Sequence, residues 1–123
     1  MGLIYKPVRL IGTRGERILR ALMDTGVSES FMRREEAITL AEPVRLPWSV
    51  TVELGKGTVA SDEVITCFVE LDGHRLKWTF TVIPELTEPV IVGADFFQRW
   101  KIKLDPEREE IILDPDALRL KLI

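Results

Sequence analysis

The sequence predicts one domain that is mostly β-sheet, with one or two short helices. Its 123 residues are enough for one hydrophobic core and too few for two. Apolar and polar residues alternate in "LKWTFTV", which places Leu76, Trp78 and Phe80 on one face of a half-buried strand. Helical periodicity is scarce. We therefore treat residues 1–123 as a single β domain.

Five stretches have the alternation or the β-branched composition of strands. They are residues 8–11, 18–23, 50–54, 64–71 and 76–82. Asp72-Gly73 has the chemistry of a tight turn and predicts a hairpin between the last two. Asp105-Pro106 is a good turn start, so residues 101–104 and 110–113 predict a second hairpin.

The helical stretches are short, and the C-terminal segment has a strand-like pattern. Residues 32–40 predict about two helical turns with Ser30 as the N-cap, and residues 94–100 predict another helix with Asp95 in its first turn. Leucines alternate with cations over residues 116–123. This pattern predicts an edge strand that pairs either with a second chain or with its own domain.

Composition excludes several classes of function. The net charge of -3 predicts no nucleic-acid or membrane partner. No apolar run reaches the length of a membrane span or a signal peptide, so we expect a cytoplasmic protein. One Cys and one His argue against a disulfide framework, a structural zinc site or any other metal cofactor. We interpret Cys67 as a small buried residue and His74 as a turn residue.

Carboxylates remain as the candidate catalytic groups, and Asp24 differs from the others. The charged runs "RREE" and "EREE" predict solvent-exposed faces. Asp24 instead follows the apolar residues at the start of "ALMDTGVSES". A carboxylate at the buried end of a strand is costly unless it is hydrogen-bonded. Thr25 can form such a bond, and Gly26 lets another backbone approach closely. Asp24-Thr25-Gly26 is therefore either a surface turn or a catalytic loop.

Two later segments favour the catalytic loop. "EPVIVGADFF" contains the apolar residues Ile91 and Val92 followed by Gly93. Between the two segments, "VTVELGKGTVASDEV" predicts a β-hairpin with Gly55, Lys56 and Gly57 at its tip.

An Asp-Thr-Gly loop, a glycine-tipped hairpin and an apolar-apolar-Gly element, in this order, resemble the retropepsin-like aspartic proteases. The resemblance covers about residues 8–113 and implies a closed, acid-protease-like β-barrel whose hairpin is a flap over the substrate. It implies that Asp24 is the catalytic carboxylate, that Thr25 braces the loop against its symmetry mate and that Gly26 lies beside the substrate. The implied substrate-binding or supporting residues are Val27, Ser28, Glu29, Gly55, Lys56, Gly57, Ile91, Val92 and Gly93.

This chemistry needs two carboxylates that share a proton, and the chain has one Asp-Thr-Gly. The second must come from a second copy, so the resemblance implies a homodimer that hydrolyses a peptide or protein substrate. Val27, where relatives usually carry Ala or Ser, and the charged Lys56 leave two alternatives open. They are a catalytically inactive peptide-binding or scaffold module of the same fold, and a plain structural β domain.

Overall fold

The computed structural model describes residues 2–55 and 57–122. Lys56, predicted at the tip of the flap, lies outside the described residues. The described elements are, in chain order, β1 (Leu3–Ile11), β2 (Glu16–Asp24), β3 (Phe31–Arg33), α1 (Arg34–Leu40), β4 (Val44–Leu54), β5 (Gly57–Leu71), β6 (His74–Ile83), β7 (Val90–Val92), α2 (Ala94–Trp100), β8 (Lys103–Asp105), β9 (Glu110–Ile112) and a 3₁₀-helix (Pro115–Leu118).

Six of the strands form a closed barrel, which confirms the predicted mostly-β fold. The strand order is β1-β2-β7-β3-β6-β5, and β1 pairs again with β5 at Arg9–Ile11 to close the circle. β4 pairs with the first half of β5, before the part of β5 that pairs with β1. The alternating strands direct their apolar residues into one core, in which Leu10, Met23, Phe80 and Phe96 are fully buried.

The first strand is longer than its sequence predicts. It begins at Leu3 rather than at residue 8 and pairs with β2 along its whole length. Pro7 lies inside it, although proline cannot donate to a sheet ladder. Its position is tolerated because β5 covers the other edge of β1 only at Arg9–Ile11.

Both hairpins predicted from turn residues are confirmed. β5 and β6 are joined at Asp72 and Gly73, which have φ values of 48° and 81°. Positive φ at both positions gives the twist that a two-residue hairpin turn needs. β8 and β9 pair antiparallel around the turn that begins at Asp105.

The predicted N-cap of the first helix is wrong. α1 begins at Arg34 with Arg33 as its N-cap, and β3 occupies Phe31–Arg33. Phe31 and Met32 are buried between β6 and β7, so pairing on both sides takes these residues into the sheet before the helix can start. The second helix matches its prediction and covers 94–100 with Asp95 in its first turn.

Two other expectations need correction. Glu36, in the "RREE" run expected to be solvated, is only 4% exposed, and its carboxylate is paired with the Arg33 guanidinium. A buried carboxylate requires such a partner. Residues 119–122 form no strand, and the 3₁₀-helix precedes them. The leucine alternation therefore does not place this segment in a sheet of its own domain.

Cys67 is buried as predicted, at 3% exposure. No helix in the described part of the chain is long and apolar enough to cross a membrane.

Candidate active site

Asp24 ends β2, and Thr25 and Gly26 begin the loop of residues 25–30, which we call the Asp24 loop. β2 and β3 are not neighbours, because β7 lies between them and pairs with both. The chain must therefore cross the end of β7 to pass from one strand to the other. This crossing brings the Asp24 loop over Gly93, the residue that directly follows β7.

Asp24 is half-buried at the end of β2. Its Oδ1 accepts a hydrogen bond of 2.8 Å from the backbone N–H of Gly26, and the Asp24 carbonyl accepts one of 3.2 Å from the N–H of Val27. The carboxylate is therefore held in one orientation by its own turn.

Gly93 is the point of closest contact beneath the loop. A Cβ at this position would lie 2.2 Å from the carbonyl oxygen of Glu29 and 2.7 Å from that of Val27. Real Cβ atoms do not approach backbone oxygens so closely. The loop can therefore sit on the end of β7 only because residue 93 has no side chain.

The start of α2 holds the loop from below. The N–H of Ala94 donates to the Val27 carbonyl at 2.7 Å, and that of Asp95 donates to the Ser28 carbonyl at 3.2 Å. The buried hydroxyl of Ser30 donates to Asp95 Oδ1 at 2.8 Å and accepts from the N–H of Gly93 at 3.0 Å. The hydroxyl thus positions the loop both as a donor and as an acceptor.

Thr25 forms hydrogen bonds with Gly2 near the beginning of the chain. Its hydroxyl accepts from the N–H of Gly2 at 3.0 Å and donates to the Gly2 carbonyl at 3.2 Å. The Thr25 N–H donates to the same carbonyl at 3.0 Å. These bonds continue the β1–β2 ladder by one residue, so the Asp24 loop is tied to the sheet on this side too.

A cleft of about 590 Å³ opens between the Asp24 loop and β4. Its lining residues are Gly26, Val27, Ser28, Glu29, Phe31, Val50, Thr51, Val52 and Glu53. The cleft is therefore bounded by loop backbone on one side and by the β4–β5 hairpin on the other. It carries both apolar and acidic side chains.

The other described residues named from the sequence, including Asp24, do not line this cleft. Gly55 is at the turn of the hairpin with φ of 59°, and Gly57 pairs with Leu54. Ile91 is half-buried between Leu22 and Phe31, and Val92 is fully buried beside Met23. Of these residues, Gly93 contacts the loop backbone directly, whereas Ile91 and Val92 pair with the neighbouring strands.

Solved structures share the fold of this chain, although no protein-family model and no curated protein sequence matches it. One is the retroviral protease-like domain of Ddi1 from Leishmania major, with 19% identity, a TM-score of 0.62 and coverage of 93% of this chain and 89% of that one. Another is the EIAV protease in complex with the inhibitor HBY-793. It has 19% identity, a TM-score of 0.64 and coverage of 85% of this chain and 93% of that one.

The chain has a retropepsin-like fold.

In this retropepsin-like barrel, Tyr5, Arg20 and Glu88 form a cluster near Asp24 that no local sequence motif predicts. The Tyr5 hydroxyl donates to Glu88 Oε1 at 3.0 Å, and the Arg20 guanidinium lies 3.8 Å above the Tyr5 ring. The Glu88 hydrogen bond is the main reason why the pKa of Tyr5 is raised, and the charge of Asp24 adds to the effect. The cluster therefore lies within electrostatic reach of Asp24.

Sequence reasoning also missed the roles of Ser30 and Gly2. Ser30 and Asp95 are 65 residues apart, and Gly2 and Thr25 are 23 residues apart. Neither pair belongs to one local motif. Within residues 2–55 and 57–122, no group of three or more His, Cys, Asp or Glu side chains is arranged to hold a metal ion.

Proposed function

We propose that the protein is an aspartic endopeptidase that works as a homodimer, with one Asp24 from each chain. The observation that carries this proposal is the half-buried Asp24 carboxylate, which is oriented by the Gly26 N–H at 2.8 Å and directly precedes the loop whose residues 26–29 line an open cleft. The retropepsin-like fold supports it. The substrate is a peptide segment in extended conformation.

The chemistry follows from two aspartates that share one proton. Two carboxylates about 3 Å apart cannot both ionise easily, so one stays protonated while the other is charged. The charged Asp24 takes a proton from a water molecule that attacks the scissile carbonyl carbon. The protonated Asp24 of the second copy donates a hydrogen bond to the carbonyl oxygen and stabilises the developing negative charge. The peptide C–N bond then breaks as the proton taken from the water passes to the leaving amine.

The surrounding residues have supporting roles in this proposal. Gly26 leaves room for the peptide backbone beside the two carboxylates. Val27, Ser28 and Glu29 contact the substrate from the loop side of the cleft, and the β4–β5 hairpin closes over it from the other side. Ile91, Val92 and Gly93 keep the Asp24 loop rigid, so that the carboxylates stay in register.

Replacing Asp24 tests the assignment. We expect Asp24→Asn to abolish cleavage of a peptide library, detected by mass spectrometry, because an amide cannot take a proton from water. Asp72→Asn is the matched control. Asp72 is an exposed turn residue with φ of 48°, a conformation that Asn tolerates well, and this variant should keep full activity. Wild-type turnover by folded Asp24→Asn would show that Asp24 is not the catalytic group.

One observation favours the catalytically inactive peptide-binding module as a second candidate. The Thr25 hydroxyl and N–H both bond to Gly2 of the same chain, so the loop edge is satisfied without a second copy. A monomer with a single Asp24 could bind a peptide but could not form the shared-proton pair. Binding of library peptides without any cleavage between about pH 2 and pH 5 would favour this second function, because a carboxylate dyad with pKa values of about 1.5 and 4.7 is singly protonated over most of that range.

A further inference from the structure

Residues 119–122, which we call the C-terminal tail, have the sequence of a strand but no strand partner. The tail reads Arg-Leu-Lys-Leu, the alternation of a half-buried strand. It follows the 3₁₀-helix and pairs with no other strand in the described part of the chain. Leu120 is 67% exposed, and Leu122 is fully exposed. The pairing that the pattern predicts is therefore available to another chain.

β4 offers an open strand edge beside the cleft of the Asp24 loop. It is the last strand in the sheet order and pairs only with β5, so its other edge has no strand partner within residues 2–55 and 57–122. Residues 50–53 of β4 line the cleft. An exposed edge can accept an extended peptide as an added strand, with main-chain hydrogen bonds giving affinity and alternate side chains giving specificity.

The side chains of β4 alternate in the same way as those of the C-terminal tail. Val52 and Leu54 pack against the apolar cluster that contains Phe31, whereas Thr51 and Glu53 are exposed and belong to the opposite face of the strand. In a strand paired with β4, the leucines of the tail extend the apolar face. The two cations of the tail then share a face with Glu53, as in a favourable cross-strand pair.

The charges of the cleft favour the same pairing. Among the described residues, those that line the cleft and carry a charge are Glu29, on the loop side, and Glu53, on the β4 side. Both are carboxylates, whereas the tail carries two cations and no carboxylate. Opposite charges on facing strands stabilise their pairing and like charges oppose it. The cleft is thus complementary to the tail in charge as well as in apolar pattern.

The tail of the same molecule lies on another part of the barrel. Leu120 lines a depression together with Trp78 and Trp100, and this depression shares no lining residue with the cleft. Arg119 forms an exposed salt bridge of 2.9 Å with Asp116, and exposed pairs of this kind are weak enough to exchange. The tail that reaches the cleft therefore belongs to a second molecule.

We propose that the cleft beside the Asp24 loop binds the C-terminal tail of another copy of this chain, as a strand added to the free edge of β4. The leucines enter the apolar side of the cleft, and Arg119 and Lys121 lie on the face of Glu53. The inference rests on the proposed function, because it names a protein segment that occupies the proposed substrate site. A bound tail excludes other peptides from that site.

Fluorescence anisotropy of a labelled peptide tests the proposal. The peptide covers residues 116–123, and the protein is the full-length Asp24→Asn chain, so that cleavage does not disturb the measurement. The peptide should bind saturably. A control peptide of the same composition, with its cations adjacent and its leucines consecutive, should bind about fivefold more weakly or worse, because only alternating side chains match a strand. Equal binding of the two peptides, or no saturable binding, overturns the proposal.

A charge exchange tests where the peptide binds. Glu53→Lys should weaken binding by about fivefold or more, and a peptide with Arg119→Glu and Lys121→Glu should regain affinity for this variant. Glu107→Lys makes the same change at an exposed residue that does not line the cleft, and it should leave binding within about twofold of the unchanged chain. If Glu53→Lys and Glu107→Lys behave alike, net charge rather than the cleft binds the peptide and the proposal fails.

Amide hydrogen exchange checks the strand pairing. Amides of residues 50–54 that point away from β5 should exchange more slowly when the peptide is bound, while those of α2 should not change. Protection of α2 instead of β4 would contradict the proposal. Cleavage of the same peptide by the wild-type chain is measured separately. It tests the proposed protease function, whereas binding to the Asp24→Asn chain tests this inference, so that either can fail alone.

Discussion

Gly93 shows how one residue without a side chain decides the geometry of the candidate site. Its N–H donates to Ser30, and the space above it is filled by the carbonyls of Val27 and Glu29. Both carbonyls belong to backbone that is tied to α2, so neither can move without breaking other bonds. The requirement for glycine here comes from close approach, not from an unusual φ.

Gly93→Ala should therefore lower the free energy of unfolding by about 1–3 kcal/mol, the usual cost of forcing a methyl group into packed structure. Gly57→Ala is the matched control, because a Cβ there meets nothing within 4 Å. It should change stability by less than about 0.5 kcal/mol, as most exposed substitutions do. Urea denaturation of both variants measures the difference. Equal stability of the two would mean that the Asp24 loop yields freely at Gly93.

Cys67 provides a prediction about pH. Burial raises the pKa of its thiol to about 12, whereas an exposed thiol has a pKa of about 8.5. Above the lower value the unfolded chain loses this proton and the folded chain keeps it. The associated stability is thus complete below about pH 8.5 and declines as pH rises towards 12, with a slope of up to about 1.4 kcal/mol per unit.

The free energy of unfolding should accordingly fall more steeply in wild type than in Cys67→Ala between about pH 8.5 and pH 10. Tyrosine and lysine titration occurs in both proteins and cancels in the comparison. Denaturant titrations at four or five pH values give the two curves. Parallel curves would show that the Cys67 thiol is as free to ionise in the folded protein as in the unfolded one.

Among the elements, β4 of the β4–β5 hairpin contributes only partly buried residues to the core. β4 pairs only with β5, the register between them shifts between Arg45 and Val50, and no residue of β4 is buried. Trp48 within it is 80% exposed. Segments with few buried contacts open at low free-energy cost. The proposed closing of this hairpin over the cleft requires such freedom.

Amide hydrogen exchange checks this element. Amides of the described residues at 53–60 should exchange at least about tenfold faster than those at 66–70, where β5 is paired on both sides with β1 and β6 over part of its length. A peptide-like inhibitor of aspartic proteases should slow the hairpin amides selectively. Equally slow exchange with and without the inhibitor would contradict a gating role for the hairpin.

At the scale of the whole molecule, each chain carries a single Asp-Thr-Gly and can therefore supply one catalytic aspartate to the proposed pair. The proposed activity therefore belongs to a pair of chains. Wild-type and Asp24→Asn chains can be unfolded together and refolded at equal ratio. Random pairing leaves about a quarter of the dimers with two intact aspartates, by the arithmetic of a two-fold assembly. Activity should drop to about that quarter of an all-wild-type sample at the same total protein.

Refolding wild type with Asp72→Asn chains under the same conditions is the control and should preserve full activity. A drop to about half in the Asp24→Asn mixture would mean that each chain works alone. In that case the second catalytic group would lie within one chain.

The sequence by itself determined the features that depend on neighbours along the chain. Alternation set the strands from β4 to β6, and Asp72 and Asp105 marked both hairpin turns, because turn chemistry and strand periodicity act over a few residues. The second helix was readable for the same reason. The order of the Asp-Thr-Gly loop, the hairpin and the apolar-Gly element indicated the fold, and the similar solved structures have the same fold.

Only the tertiary structure decided the features that join distant parts of the chain. It drew Phe31 and Met32 into β3, and it gave the Ser30 hydroxyl to Asp95 instead of a helix N-terminus. It also brought Gly2 to Thr25 and left the C-terminal leucines outside the sheet. In each case local preference was compatible with several outcomes. The choice was made by pairing and burial between elements that meet only in the closed barrel.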